Sequence, residues 1–92
     1  MARDHELARL PPPPFWRTEY YALQVLAKDG RTRIDPLDIR AIIAKPEHKR
    51  RQANGRVQLW GWVHDLNSYV RVVLLPDGET VHNAFRDRDF EP

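Results

Sequence analysis

Four histidines, His5, His48, His64 and His82, are the side chains of this sequence suited to moving protons near neutral pH, because an unperturbed imidazole titrates near about 6.5. Two of them fall in runs where aromatic and basic residues alternate with apolar ones. Gln58, Trp60, Trp62 and His64 form one such series, Tyr69, Arg71 and Val73 a second, and Thr80, His82, Ala84 and Arg86 a third. Flat rings stack unpaired bases and guanidinium groups hold phosphates, so the combination suits RNA. The plainer reading is cross-strand packing, in which Trp62 stacks on Arg71 only to stabilise a sheet or a dimer. Other chemistries find no parts. The histidines have no metal-site spacing, and no HExxH, P-loop or GxGxxG pattern occurs. With no cysteine, disulfides, thiolate zinc sites and cysteine nucleophiles are excluded. Ser68 lies in a turn without a nucleophile-elbow pattern. No metal and no other cofactor is expected.

The elements that must position these residues follow from periodicity and turn chemistry. Thr18 to Lys28 fits a helix capped by Thr18, with Tyr20, Leu23 and Ala27 on one face and Gly30 as its stop; Tyr20, Tyr21 and Val25 leave a strand open. A second helix has stronger signals. Asp35 is an N-cap candidate, Pro36 stands at the first helical position, and Asp38 lies near the positive end of the dipole. Ile34 and Ile39 have hydrophobic-staple spacing, Leu37, Ile39, Ile42 and Ile43 give an apolar face, and Pro46 ends the helix. After Asn54-Gly55, a turn signal, the period changes to that of strands: Val57 to His64, Tyr69 to Leu75, and Thr80 to Phe85.

Four-residue connectors, Asp65–Ser68 and Pro76–Glu79, make these runs an antiparallel meander. His64 then faces Tyr69, Leu59 faces Leu74, Leu74 faces Val81, and Val70 faces Phe85. One sheet face collects Val57, Leu59, Gly61, Val63, Val70, Val72, Leu74, Val81 and Phe85, with Asn83 among them, and is the core face for the helices. The other carries the three aromatic and basic series. A bulge in the second hairpin would move His82 to the opposite side.

Length and charge bound the whole. Ninety-two residues make one modest core. Residues 1–17, with four prolines at Pro11–Pro14, read as a proline-rich arm or linker, and 18–92 as a single α+β domain. No run approaches the roughly 20 apolar residues of a membrane helix, and no signal peptide is visible, which points to a cytoplasmic protein without a membrane partner. The net charge of +2 hides an uneven distribution. Lys28 to Arg56 holds nine basic and four acidic residues, whereas Val57 to Pro92 holds three and six. Lys45, Lys49, Arg50 and Arg51 concentrate the positive charge and would attract phosphates, or else form a solvated helix end.

The segments "IDPLDIRAIIAKPEHKRR" and "GRVQLWGWVHDLNSYVRVVLLPDGETVHNAFRDRDF", preceded by a helix, resemble the barnase–EndoU–colicin–RelE group of small metal-independent ribonucleases, especially phage-encoded and toxin-like members. The similar parts are the helix ending in a Lys-Pro step, the "RVVLLPDGETVH.AF" hairpin and the closing Arg-Asp-Arg. The resemblance implies two N-terminal helices packed on one face of a three- to four-stranded antiparallel sheet, and RNA cleavage by 2′-hydroxyl attack with bases bound on the sheet. That reaction needs a proton acceptor, a proton donor and positive charge at the phosphorus. His82 and His64 are the acid/base candidates, and Arg71 and Arg86 the phosphate donors. Trp60, Trp62 and Tyr69 would stack bases, with Lys45, Lys49, Arg50 and Arg51 holding the strand; Asp87 would orient a histidine or pair with Arg86 or Arg88. RNA is the expected partner, with an inhibitor protein or a larger parent polypeptide as further ones. The alternatives are a non-catalytic module binding nucleic acid or protein through the same face, and a docking domain that uses the proline arm.

Overall fold

A computed structural model describes residues 16–17 and 34–92. The expected helix over Thr18–Lys28 and the proline arm lie outside the described residues. What is described is a small α+β fold: one helix, α1 (Pro36–Ala44), against a sheet whose antiparallel strands are β2 (His48–Arg51), β3 (Val57–Val63), β4 (Ser68–Leu74) and β5 (Thr80–Arg86). A two-residue β1 (Trp16–Arg17) pairs parallel with β5, giving the order β1-β5-β4-β3-β2.

Local chemistry sets the ends of α1. The Asp35 side chain accepts from the Leu37 backbone N–H at 2.9 Å, satisfying one of the free donors of the first turn, and Pro36 supplies a preset φ. Ile34 and Ile39 bracket that turn and are both buried. Ile39 and Ile42 then press onto β3 and β4, each contributing about 1.5–3 kcal/mol of apolar burial. Leu37, expected on that apolar face, is 71 % exposed, because the helical repeat turns it about 140–160° away from Ile42 and Ile39. Where α1 crosses β3 the backbones are close. A Cβ on Gly61 would sit 2.7 Å from Ile42 Cγ1, so only glycine leaves room.

The strand β2 was not expected. The basic run His48–Arg51 pairs antiparallel with β3, placing His48 beside Trp60 and Arg50 beside Gln58. Three consecutive cations, Lys49, Arg50 and Arg51, resemble a solvated segment, yet they tolerate the edge of a sheet, where charge also blocks pairing with other chains. The β2–β3 connection is closed by Gln52 N–H donating to the Arg56 carbonyl, with Gly55 at φ +91°.

Both later hairpins depart from the expected registers, and each departure has a physical cause. In the first, Val63 faces Ser68, Trp62 faces Tyr69 and Trp60 faces Arg71. The loop is His64–Asn67 instead of Asp65–Ser68, because Asn67 takes the left-handed conformation (φ 50°, ψ 47°) that ends the 3-10 turn His64–Leu66. The offset is two residues, so the faces of β3 and β4 keep their expected sides. In the second hairpin Leu74 faces Val81 but Val73 faces Asn83, leaving His82 as the extra residue of a bulge. Beyond it the sides exchange. Ala84 turns into the core at 4 % exposure, Asn83 and Phe85 move to the aromatic face, and Arg86, expected there, instead stands opposite the core residue Val70. The core thus runs from Ile34, Ile39 and Ile42 through Val57, Leu59 and Val63 to Val70, Val72, Leu74, Val81 and Ala84. Among the described residues no helix is long and apolar enough to cross a membrane.

Candidate functional site

The face turned away from α1 carries His48 and Arg50 from β2, Trp60 and Trp62 from β3, Tyr69 and Arg71 from β4, and Phe85 from β5, as alternation along the paired strands requires. Cross-strand neighbours there meet as rings and guanidinium groups. Trp62 meets its partner Tyr69 edge-on, with centroids 5.2 Å apart at 83°. Arg71 lies 5.3 Å from the Trp60 centroid and 5.0 Å from that of Phe85, and Arg50 covers Trp60 at 5.6 Å.

The chain after β5 folds back over this face. Asp87 N–H donates to the Tyr69 carbonyl at 2.9 Å, prolonging the ladder, and its Oδ2 accepts three hydrogen bonds. These come from Trp60 Nε1 (2.9 Å), Arg71 Nε (2.9 Å) and Arg71 Nη2 (2.7 Å). Burial pushes the Asp87 carboxyl up, but the hydrogen bonds from Trp60 and Arg71 and the guanidinium charge together hold it below the usual carboxylate range. Three residues on, Phe90 stacks on Trp60 at 4.5 Å and 13°, and meets His48 and Tyr69 edge-on, each at 5.2 Å. Trp60 is therefore only 2 % exposed, whereas Trp62 stays open at 38 %.

Beside this covered patch is a cleft of about 320 Å³, lined by Trp62, Ser68, Tyr69, Arg86, Arg88 and Phe90 among others. Its aromatic wall offers a stacking surface, and Arg88 is an exposed cation at its rim. Arg86 Nη2 donates to the Leu66 carbonyl at 3.1 Å, while its Nε is buried with no hydrogen-bond partner. A cleft of this make-up can take a planar ligand carrying negative charge.

The residues singled out in the sequence divide into three places. Trp62 and Tyr69 line the cleft with Arg86, and the exposed ring of His64, the first residue of the 3-10 turn, stands 6.5 Å from Trp62. Trp60 and Arg71 lie under the folded-back chain. His82 sits at the bulge near the far end of β4, and along six residues of strand that is about 20 Å from the His64 hairpin. The structure does not bring the two imidazoles together. Burial and the charge of Arg56 push the His82 imidazole below its ordinary value. The basic cluster also splits. Arg50 joins the aromatic face, Lys49 and Arg51 alternate toward the helix side, and Lys45 is the C-cap of α1. Asp87 pairs with Arg71, neither with a histidine nor with its arginine neighbours.

The places of His48, Arg50, Phe85 and Phe90 on this face were not foreseen from the sequence. His48 and Arg50 stand two residues apart, the period of a strand, but the charge run and Pro46 hide that signal. Phe90 follows a polar Arg-Asp-Arg-Asp stretch, and nothing local says that its ring returns to Trp60. Among the described residues no group of three or more His, Asp or Glu side chains could hold a metal ion. No family model, curated protein or solved structure matches the chain.

Proposed function

We propose that this protein binds single-stranded RNA on the sheet face turned away from α1. The observation that carries the reading is the cleft in which an exposed Trp62 and its neighbour Tyr69 stand beside Arg86 and Arg88. An unpaired base stacks on the indole, and the following phosphate meets the exposed guanidinium of Arg88 at the rim. Arg50 extends the positive surface toward β2. Stacking of this kind is worth about 1–3 kcal/mol per base, so Trp62→Ala weakens an oligouridylate by roughly 10- to 100-fold in fluorescence anisotropy. Unchanged affinity in a folded Trp62→Ala variant removes the cleft from the reading.

Cleavage of the bound strand is the second reading, favoured by the exposed His64 ring, 6.5 Å from the Trp62 ring that lines the cleft. The ribose 2′-oxygen attacks the adjacent phosphorus, an imidazole takes its proton, and the 5′-oxygen leaves with a proton from an acid. The products are a 2′,3′-cyclic phosphate and a 5′-hydroxyl, with no other reactant consumed. RNA and a matched DNA incubated with the protein in EDTA test this. Cyclic-phosphate ends from RNA alone, lost in His64→Ala but kept in His82→Ala, assign the chemistry to the cleft. Binding without any cut ends leaves the protein a non-catalytic module.

A further inference from the structure

Phe90 and Asp87 occupy the sheet face in a way that has the form of a ligand. The Phe90 ring lies flat on Trp60 and is walled by His48 and Tyr69, all within 5.2 Å of centroid separation. Asp87 places one anionic oxygen where an indole N–H and two guanidinium N–H groups converge. A planar ring on an indole next to an oxyanion on an arginine is how a nucleotide would sit, base on Trp60 and phosphate on Arg71. Both groups come from one short turn, in which Phe90 N–H donates to the Asp87 carbonyl at 3.3 Å and the Asp89 backbone N–H to the Asp87 carboxylate.

We infer that the cage of Trp60, His48, Tyr69 and Arg71 is a second nucleotide subsite, held shut by Phe90 in the place of a base and Asp87 in the place of a phosphate. This rests on the RNA reading and extends it from the open cleft to the covered patch beside it, since Phe90 and Tyr69 belong to both. Exchange conserves what the site requires. A phosphodiester oxygen brings the same single charge to Arg71 and accepts from the same three N–H groups, so no buried donor is orphaned when Asp87 swings out. A base replaces the ring of Phe90 on Trp60, and His48 and Tyr69 then offer an imidazole and a hydroxyl to its polar edge. The strand must compete with the turn, so the apparent affinity of the intact protein is lowered by the fraction of closed molecules.

The test uses the full chain, a fluorescein-labelled oligouridylate and anisotropy, with wild type beside Phe90→Ala. Opening the cage raises affinity about tenfold in Phe90→Ala. In the wild type, the same RNA abolishes the nuclear Overhauser contacts between the Phe90 ring and Trp60, and it shifts the Trp60 indole N–H resonance. That second measurement stands even where Phe90→Ala unfolds. Wild type that binds RNA with its Phe90–Trp60 contacts intact, or a folded Phe90→Ala that binds equally or more weakly, overturns the inference and leaves the open cleft as the binding site. Absence of binding by both proteins overturns the RNA reading itself, and this inference with it.

Discussion

One carboxylate organises the face opposite α1. Asp87 is 9 % exposed at its side chain and satisfies both the indole N–H of Trp60 and the guanidinium of Arg71. Removing it strands three N–H donors near the interior, which costs about 2–4 kcal/mol. Its folded pKa is depressed, so its contribution is fully present above the unfolded carboxyl value of about 4, and is lost as pH falls through the folded value. Asp87→Asn is therefore less stable than wild type at pH 7, and the gap between their thermal midpoints narrows as pH drops below about 4. His82 acts at milder acidity. Its folded pKa also lies below the unfolded one, so the folded protein holds the neutral imidazole. Stability is full above about pH 6.5 and declines as pH falls toward the folded value, because the unfolded chain takes up the proton first. His82→Gln removes that decline. Midpoints measured from pH 7.5 to 5 in both proteins check it: equal slopes in the two would show that another group is responsible.

The contact between α1 and β3 depends on the absence of one side chain. Ile42 Cγ1 fills the space above Gly61, so Gly61→Ala pushes the helix off the sheet or forces Ile42 from its rotamer. Overpacking of that size costs about 1–3 kcal/mol. Chemical denaturation of Gly61→Ala gives that loss directly, and in an Ile42→Ala background, where Cγ1 is absent, the added cost of Gly61→Ala falls. The helix itself was legible because its signals are local: Asp35 as cap, Pro36 at the first position, Ile34 and Ile39 as staple. The sides of β3 and β4 were legible because alternation survives a two-residue offset. The side of β5 was not, since a bulge at His82 depends on how Val81 and Ala84 fit the core, which no nearby residue announces. For the same reason the site was half legible. Trp62 and Tyr69 could be read from alternation, whereas His48 needed β2 to be seen as a strand, and Phe90 needed the chain to turn back.

Across the whole molecule, the two sheet faces do different work with the same strands. One is covered by α1 and holds the apolar core, while the other stacks rings against guanidinium groups and leaves a cleft at its edge. The charge follows the elements. The basic run lies on β2, an edge strand, and the acidic excess of the last third is partly drawn inward as Asp87 meets Arg71. A strand of RNA crossing from the cleft to β2 would pass Arg88, Arg50 and then Lys49 or Arg51 at the margin. Contact with about three phosphates gives a slope of roughly −2 in log affinity against log salt for a single strand, hence a loss of about 20-fold between 50 and 200 mM. Arg50→Ala should lower that slope by about 0.7 and weaken all sequences alike, because a phosphate contact reads no base. Trp62→Ala should do the reverse, reducing affinity while leaving the slope intact, since stacking releases no counterions. A salt-independent affinity would instead mark the face as an apolar dock for a protein, because screening cannot weaken a contact in which charge plays no part.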